Sequence, residues 1–259
     1  MPTTDGSGCE IYYERTAGNP DREPVVLVGE LGLGAWQWSW QYAGLSGRDT
    51  IVYDHRGTGR SAAPPGPYSL EDFVDDFEAV LGEESIRRAH LVGCGLGGCV
   101  GLAAARRTGR VRSLSLIGTP VSGADYDGTE IRADPADSSA IRASTEALLS
   151  TPFGESHPDV IDQIVDWRGN EDATPAAQAA QQAAINGFDA EPLYEITRPA
   201  LVVAGGQDSV VESKTSRRLA DDLPRGEFRS YPEAGHLVGI ERSAALTDEL
   251  VGFLDAVEQ

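Results

Sequence analysis

Hydrophobic residues in this chain fall in short runs separated by longer helical-period stretches, and that alternation sets the expected architecture. Residues 9–17 (CEIYYERTA) and 25–29 (VVLVG) read as strands separated by the polar turn GNPDRE. AWQWSWQYAGL (35–45) reads as a helix, and TIVYD (50–54) as a buried strand running into the loop HRGTGRSAAPPGP. Ser69, with Asp72 three residues on, caps a helix over SLEDFVDDFEAVLG that ends at Gly82. HLVG (90–93) is a strand, LGGCVGLAAARR a helix, and SLSLIG (113–118) another strand.

Between 121 and 195 the pattern changes. This stretch is polar, carries Gly and Pro, and holds helical patches (SSAIRASTEALL, DVIDQIVDW, AAQAAQQAAI) without strand runs. The alternation then resumes with ALVVAG (200–205) as strand, SKTSRRLADDL as helix, EFRSYP as strand, and a last helix near ALTDELVGFLDAV. Strands alternating with helices predict an α/β fold with a mostly parallel sheet covered on both faces. Residues 1–259 read as a single domain, with 121–195 as a helical lid inserted into it.

Composition narrows the function classes. The chain has 259 residues, 40% hydrophobic and 24% charged, which suits a folded domain with a sizeable core. Its formal net charge is −20, so phosphate backbones and anionic lipid surfaces would repel it, and neither nucleic acid nor a membrane is an expected partner. The only lysine is Lys214, against twenty arginines. A high acid count with almost no lysine suggests a halophilic protein, whose self-repulsion high salt screens. The first ten residues are polar and no apolar run is long enough to span a bilayer, so a cytoplasmic location is expected. The cysteines Cys9, Cys94 and Cys99 make neither a disulfide framework nor a zinc site. No cofactor or metal is expected, only a small-molecule substrate.

The candidate chemistry lies in AHLVGCGLGGCVGL (89–102), where an apolar run enters a glycine cluster and then an Ala-rich helix. Three further stretches accompany it: LVVAGGQDSVV (201–211) places Asp208 in a loop after a strand, and YPEAGHLVGIE (231–241) places His236 before the last helix. YDHRGTGRS (53–61) has the form D-x-R-G-x-G-x-S. Together these motifs resemble the α/β-hydrolase superfamily, in its esterase, epoxide-hydrolase and haloperoxidase-like branch, over roughly residues 10–257. The resemblance implies an eight-stranded, mostly parallel sheet with helices on both faces and a helical lid. By position it implies Gly95 at the nucleophile, Asp208 at the acid, His236 at the base, and an oxyanion-hole N–H from Leu96.

Two departures bear on the chemistry. Gly95 stands where G-x-S-x-G carries serine, so the turn keeps its shape while lacking the hydroxyl that forms an acyl-enzyme. On that reading, Gly95→Ser is expected to create ester hydrolysis. The second departure is LVGELGLG (27–34), where the family usually has H-G-x; Gly29 takes the His place and Glu30 the Gly place. The second oxyanion donor is then the N–H of Leu31 or Glu30, and a carboxylate there would oppose a developing oxyanion. Glu30 either points to solvent or pairs with an arginine such as Arg56, or it is an acid or base of the pocket. Cys94 is expected to leave its strand away from His236. Trp36, which follows the Glu30 loop, is a candidate pocket wall. His55 reads as a loop brace, His157 as a helix start, and His90 as structural.

The resulting expectation is an enzyme acting on a small, partly apolar molecule, with His236 and Asp208 as a general base that works without a covalent serine. Activated water, a lyase-type proton abstraction and a cofactor-independent oxygenation all fit that description. A non-catalytic ligand-binding relative, or a serine ester hydrolase inactivated at Gly95, are the alternatives.

Overall fold

Central strands of this protein are continuous apolar runs because both of their faces are covered. The computed structural model describes residues 2–259. Its first half runs β1 (Thr3–Asp5), β2 (Glu10–Thr16), β3 (Val25–Val28), α1 (Ser39–Tyr42), β4 (Thr50–Tyr53), α2 (Leu70–Glu83), β5 (Ala89–Cys94), α3 (Leu96–Arg107) and β6 (Val111–Ile117). Helices α4 (Ser138–Leu148), α5 (Thr151–Ser156), α6 (Pro158–Glu171) and α7 (Pro175–Asn186) follow. The chain closes with β7 (Ala200–Gly205), α8 (Ser213–Asp222), β8 (Gly226–Tyr231), α9 (Val238–Glu241) and α10 (Ser243–Glu258).

The strands form one eight-stranded sheet in the order β1-β2-β4-β3-β5-β6-β7-β8. Pairing is antiparallel between β1 and β2 and between β2 and β4, and parallel from β4 through β8. Successive residues of a strand feed opposite cores. Val26, Val28 and Leu91 pack with Phe73 and Phe77 of α2 and Leu102 of α3. Val25, Leu27 and Val92 pack with Leu246, Leu250 and Leu254 of α10. The parallel register pairs Val28 with Gly93, Cys94 with Ile117, and Ile117 with Val203, so the carboxyl ends of β3, β5, β6 and β7 open on one edge. That edge is where open α/β sheets hold ligands.

Ser69 caps α2 as expected: its hydroxyl accepts the Asp72 N–H, and the Asp72 carboxylate accepts the Ser69 N–H. Two features differ from the sequence reading. Strand β1 is polar and lies within the N-terminal stretch that showed no apolar pattern; it is placed by its register with Glu10–Tyr12 of β2 and by contact with α2. Residues 35–45 form a 3-10 turn over Ala35–Trp38 followed by the single-turn α1, which ends at Tyr42 with Ala43 as its cap. Among the described residues, no helix is long and apolar enough to cross a membrane.

Candidate active site

Gly95 joins β5 to α3 at φ +47° and ψ −106°, a backbone conformation that costs a side chain of order 1–3 kcal/mol and glycine almost nothing. Its N–H donates to the Ile117 carbonyl at 3.0 Å. The loop after β3 approaches this turn from the side. Gly29 accepts the Gly97 N–H at 2.9 Å, and His55 Nε2 lies 2.9 Å from the same carbonyl. Gln37 Oε1 accepts the Glu30 N–H, Gln181 Oε1 of α7 accepts the Gly32 N–H at 2.7 Å, and Asp172 accepts the Gly34 N–H. A loop tied at so many consecutive residues aims Glu30 in one direction.

That direction is the Gly95 turn. Glu30 is fully buried, and an ideal Cβ built on Gly95 would fall 1.5 Å from Glu30 Oε2. Glu30 Oε1 accepts the Leu96 N–H at 3.0 Å, the Leu31 N–H, and the Tyr126 hydroxyl at 2.9 Å. Oε2 lies 2.7 Å from His236 Nε2. On its other side His236 Nδ1 is 3.0 Å from both Asp208 oxygens, and Asp208 Oδ1 also accepts the N–H groups of Val210 and Val211. Gly118, at φ +50°, makes room for the ring, since a Cβ there would lie 2.7 Å from His236 Cε1.

Each ring nitrogen of His236 faces a carboxylate, an arrangement that favours a proton on both, and with it a positive charge. Burial opposes that charge, but the Asp208 carboxylate and the hydrogen bonds to Asp208, Cys94 and Glu30 outweigh it and hold the pKa well above 6.5. Donor atoms of Glu30, Cys94 and His236 lie within 4.8 Å of one another. Within that cluster Glu30 Oε2 and His236 Nε2 are hydrogen-bonded to each other.

Each candidate residue from the sequence now has a place. Glu30, His236, Asp208, Gly95 and the N–H groups of Leu31 and Leu96 converge. Glu30 neither faces solvent nor pairs with Arg56, whose guanidinium is taken by Asp76 at 2.8 Å. His55 is buried and braces Gly29, and burial lowers its pKa to about 4. His157 opens α6, and His90 is buried away from the site against Ser113.

Two expectations need correction. Cys94 does not lie away from His236: it shares the α10 face of the sheet with Val92 and Ile117, and its sulfur belongs to the same cluster as His236. Trp36 does not reach this cluster. Its ring lies 6.3 Å from that of Trp167 of α6 at a tilt of 32°, it donates Nε1–H to Asp172, and it lines a separate cavity of about 400 Å³ with Tyr12 and Arg60. Tyr126 was not visible as a site residue; in sequence it is one tyrosine in the polar loop GADYDG.

This sheet order, with loops from the carboxyl ends of β3, β5, β7 and β8 meeting at one point, defines an α/β hydrolase architecture. The chain belongs to the alpha/beta hydrolase family, whose family model matches residues 24–243. A protein of Variovorax paradoxus (strain S110), named as carbamate hydrolase RutD, is 33% identical over 95% of this chain and 97% of its own length. A relative of the same name from Caulobacter segnis is 31% identical over 98% of each. Among solved structures, the enol-lactonase from Burkholderia xenovorans LB400 has a TM-score of 0.87 and 27% identity, over 98% of this chain and 100% of that one.

Proposed function

We propose that this protein is a hydrolase of a small, partly apolar molecule in which His236, held by Asp208, moves the protons and position 95 supplies no nucleophile. Glycine stands there in the place of a serine, and α4–α7 serve as the lid. One observation carries the reading: the space that a side chain at Gly95 would fill is taken by the Glu30 carboxylate, itself hydrogen-bonded to His236. The family and its relatives support hydrolysis, and the carbamate hydrolase and enol-lactonase names direct the search toward small carbamates, lactones and esters.

The chemistry follows from the ring's two partners. In the resting protein His236 carries a proton toward Oε2 and is an acid. It becomes a base once Glu30 ceases to be an anionic partner, and Asp208 keeps the ring oriented through both changes. Glu30 is therefore part of the reacting set. A glycine at 95 leaves no hydroxyl for an acyl-serine.

The test pairs a fluorophosphonate label with a panel of small carbamates, lactones, esters and epoxides. No serine should be labelled, and His236→Ala should lower hydrolysis of whichever compound is turned over by roughly 10²–10⁴-fold. A labelled serine, hydrolysis indifferent to His236→Ala, or no hydrolysis across the panel would each reject the reading.

A further inference from the structure

We infer that Glu30, Cys94 and His236 together form a binding site for a borderline-soft divalent cation of the Zn²⁺ type, with Oε2, Sγ and Nε2 as its ligands. The inference stands apart from the hydrolytic reading above, because it concerns a ligand set and not a reaction.

The donor atoms are of the right kind and close together. One from each of the three side chains lies within 4.8 Å of the others, and all three residues are buried. A thiolate, an imidazole and a carboxylate suit Zn²⁺, whereas Mg²⁺ and Ca²⁺ take oxygen ligands. Oxygen and nitrogen ligands of a tetrahedral Zn²⁺ stand roughly 3.4 Å apart. Glu30 Oε2 and His236 Nε2, at 2.7 Å, need to part by less than about 1 Å to admit the ion. The proton between them and the thiol proton leave as it binds. Thiolate and carboxylate then match its two charges, so the buried ion is compensated.

The surroundings are those that hold metal ligands elsewhere. Metal-bound histidines donate their other ring N–H to a carboxylate, and metal-bound carboxylates are themselves hydrogen-bonded. His236 Nδ1 lies 3.0 Å from both oxygens of Asp208, which is fixed in turn by the N–H groups of Val210 and Val211. Glu30 Oε1 accepts from the N–H groups of Leu31 and Leu96 and from the Tyr126 hydroxyl, which leaves Oε2 turned to the cluster. Gly95 keeps that oxygen free of any side chain, since a Cβ there would lie 1.5 Å from it.

An independent observation comes from the cavity beside Cys94. Its volume of about 20 Å³ is enough for one water, and Cys94, His236, Gln41 and Trp38 line it. Gln41 Oε1 and Trp38 Nε1 are buried without a protein partner, although Gln41 Nε2 donates to the Gly239 carbonyl. An acceptor and a donor left open on one small cavity suit a water carried by the ion as its fourth ligand. A second trio among the described residues, Glu23, His90 and Glu258, lacks these conditions. Arg48 and Arg112 hold its carboxylates, and their charge repels a cation.

The test is a titration of reduced protein with Co²⁺, a spectroscopic substitute for Zn²⁺. It is added by long incubation and also during refolding, because Glu30 and His236 are fully buried. We expect one equivalent to bind with a thiolate-to-cobalt charge-transfer band in the near ultraviolet, bleached by one equivalent of Zn²⁺. Cys94→Ser should lose the band, and Cys9→Ser, outside the cluster, should keep it. Asp208→Asn should weaken binding roughly 10–100-fold through the ring it orients, and Glu30→Gln by more. Circular dichroism establishes that each variant is folded. No band by either route, a band that survives Cys94→Ser, or full affinity in folded Glu30→Gln would each overturn the site. Zn²⁺ should also stop hydrolysis of the panel compound, since it takes Nε2 and Oε2. Hydrolysis that persists in protein carrying one equivalent of Zn²⁺ overturns the acid–base role of His236 and leaves the metal site standing.

Discussion

Two buried histidines in this protein each sit among carboxylates, and they behave oppositely. His236 lies between Asp208 and Glu30, and its proton is held well above the usual range despite burial. His90 lies 3.3 Å from Glu258 and 4.0 Å from Glu23, yet burial dominates and pulls its pKa to about 4. What differs is who else holds the carboxylates. Glu258 is paired with Arg48, and Glu23 with Arg112 at 3.0 Å. Glu30 and Asp208 are held by N–H groups and a tyrosine hydroxyl, none of which cancels their charge. In this pair, the buried histidine keeps its proton where no arginine neutralises the carboxylates around it.

The comparison makes its largest prediction for turnover. His236→Ala should cost about 10²–10⁴-fold in hydrolysis of the panel compound, whereas His90→Ala should leave the rate within about threefold and act on stability alone. Comparable rate losses at the two positions would erase the distinction. Stability gives the next effect. Asp208→Asn leaves a buried ionic set short of one charge and should cost roughly 3–5 kcal/mol in denaturant unfolding. Glu258→Gln, at a partly exposed pair whose Arg48 keeps Asp255, should cost roughly 1 kcal/mol.

The pH dependence of stability should separate the two histidines by flank. His90, and His55 with it, are held near 4 against an ordinary 6.5, so their contribution is complete above 6.5 and is lost as pH falls toward 4. Each accounts for roughly 3 kcal/mol across that window. His236 is shifted the other way, so its contribution is complete below 6.5 and disappears as pH rises through its elevated value. Melting curves of His90→Gln and His236→Gln should flatten the acid and alkaline flanks respectively. The smallest effect is ionic. With a net charge of −20, raising salt from dilute to molar should raise the melting temperature by about 5 °C, and an unchanged midpoint would remove halophily from the account.

The fold was legible because its signals are local and redundant. Buried runs such as VVLV and ALVVAG, the Ser69–Asp72 capping box and the glycine cluster at 93–98 each state one element. Strand β1 was hidden because a polar edge strand is defined by its partner's register and not by its own pattern. In the site, His236, Asp208, Gly95 and the N–H donors could be placed by motif order. The orientation of Glu30 could not, since it is set by Gln37, Gln181 and Asp172, which come from other elements, and by Arg56 preferring Asp76. Tyr126 and Cys94 were missed for related reasons. One reaches the carboxylate from a loop without pattern, and the other keeps its alternation with Val92 while the His236 loop comes to that same face.

The expectation for Gly95→Ser changes once Glu30 is in place: the serine Cβ has no room while Oε2 lies 1.5 Å from its position, and the N–H pair it needs is occupied. The most direct test of the central claim, that Glu30 fills the space a side chain at position 95 would take, is therefore p-nitrophenyl acetate hydrolysis by wild type, Gly95→Ser and Gly95→Ser/Glu30→Gly. Our account predicts that Gly95→Ser alone gains nothing and is less stable, and that the double variant shows an acyl-enzyme burst and turnover that His236→Ala abolishes. Equal activity in Gly95→Ser with Glu30 intact would show that the carboxylate does not fill that space, and would contradict the account.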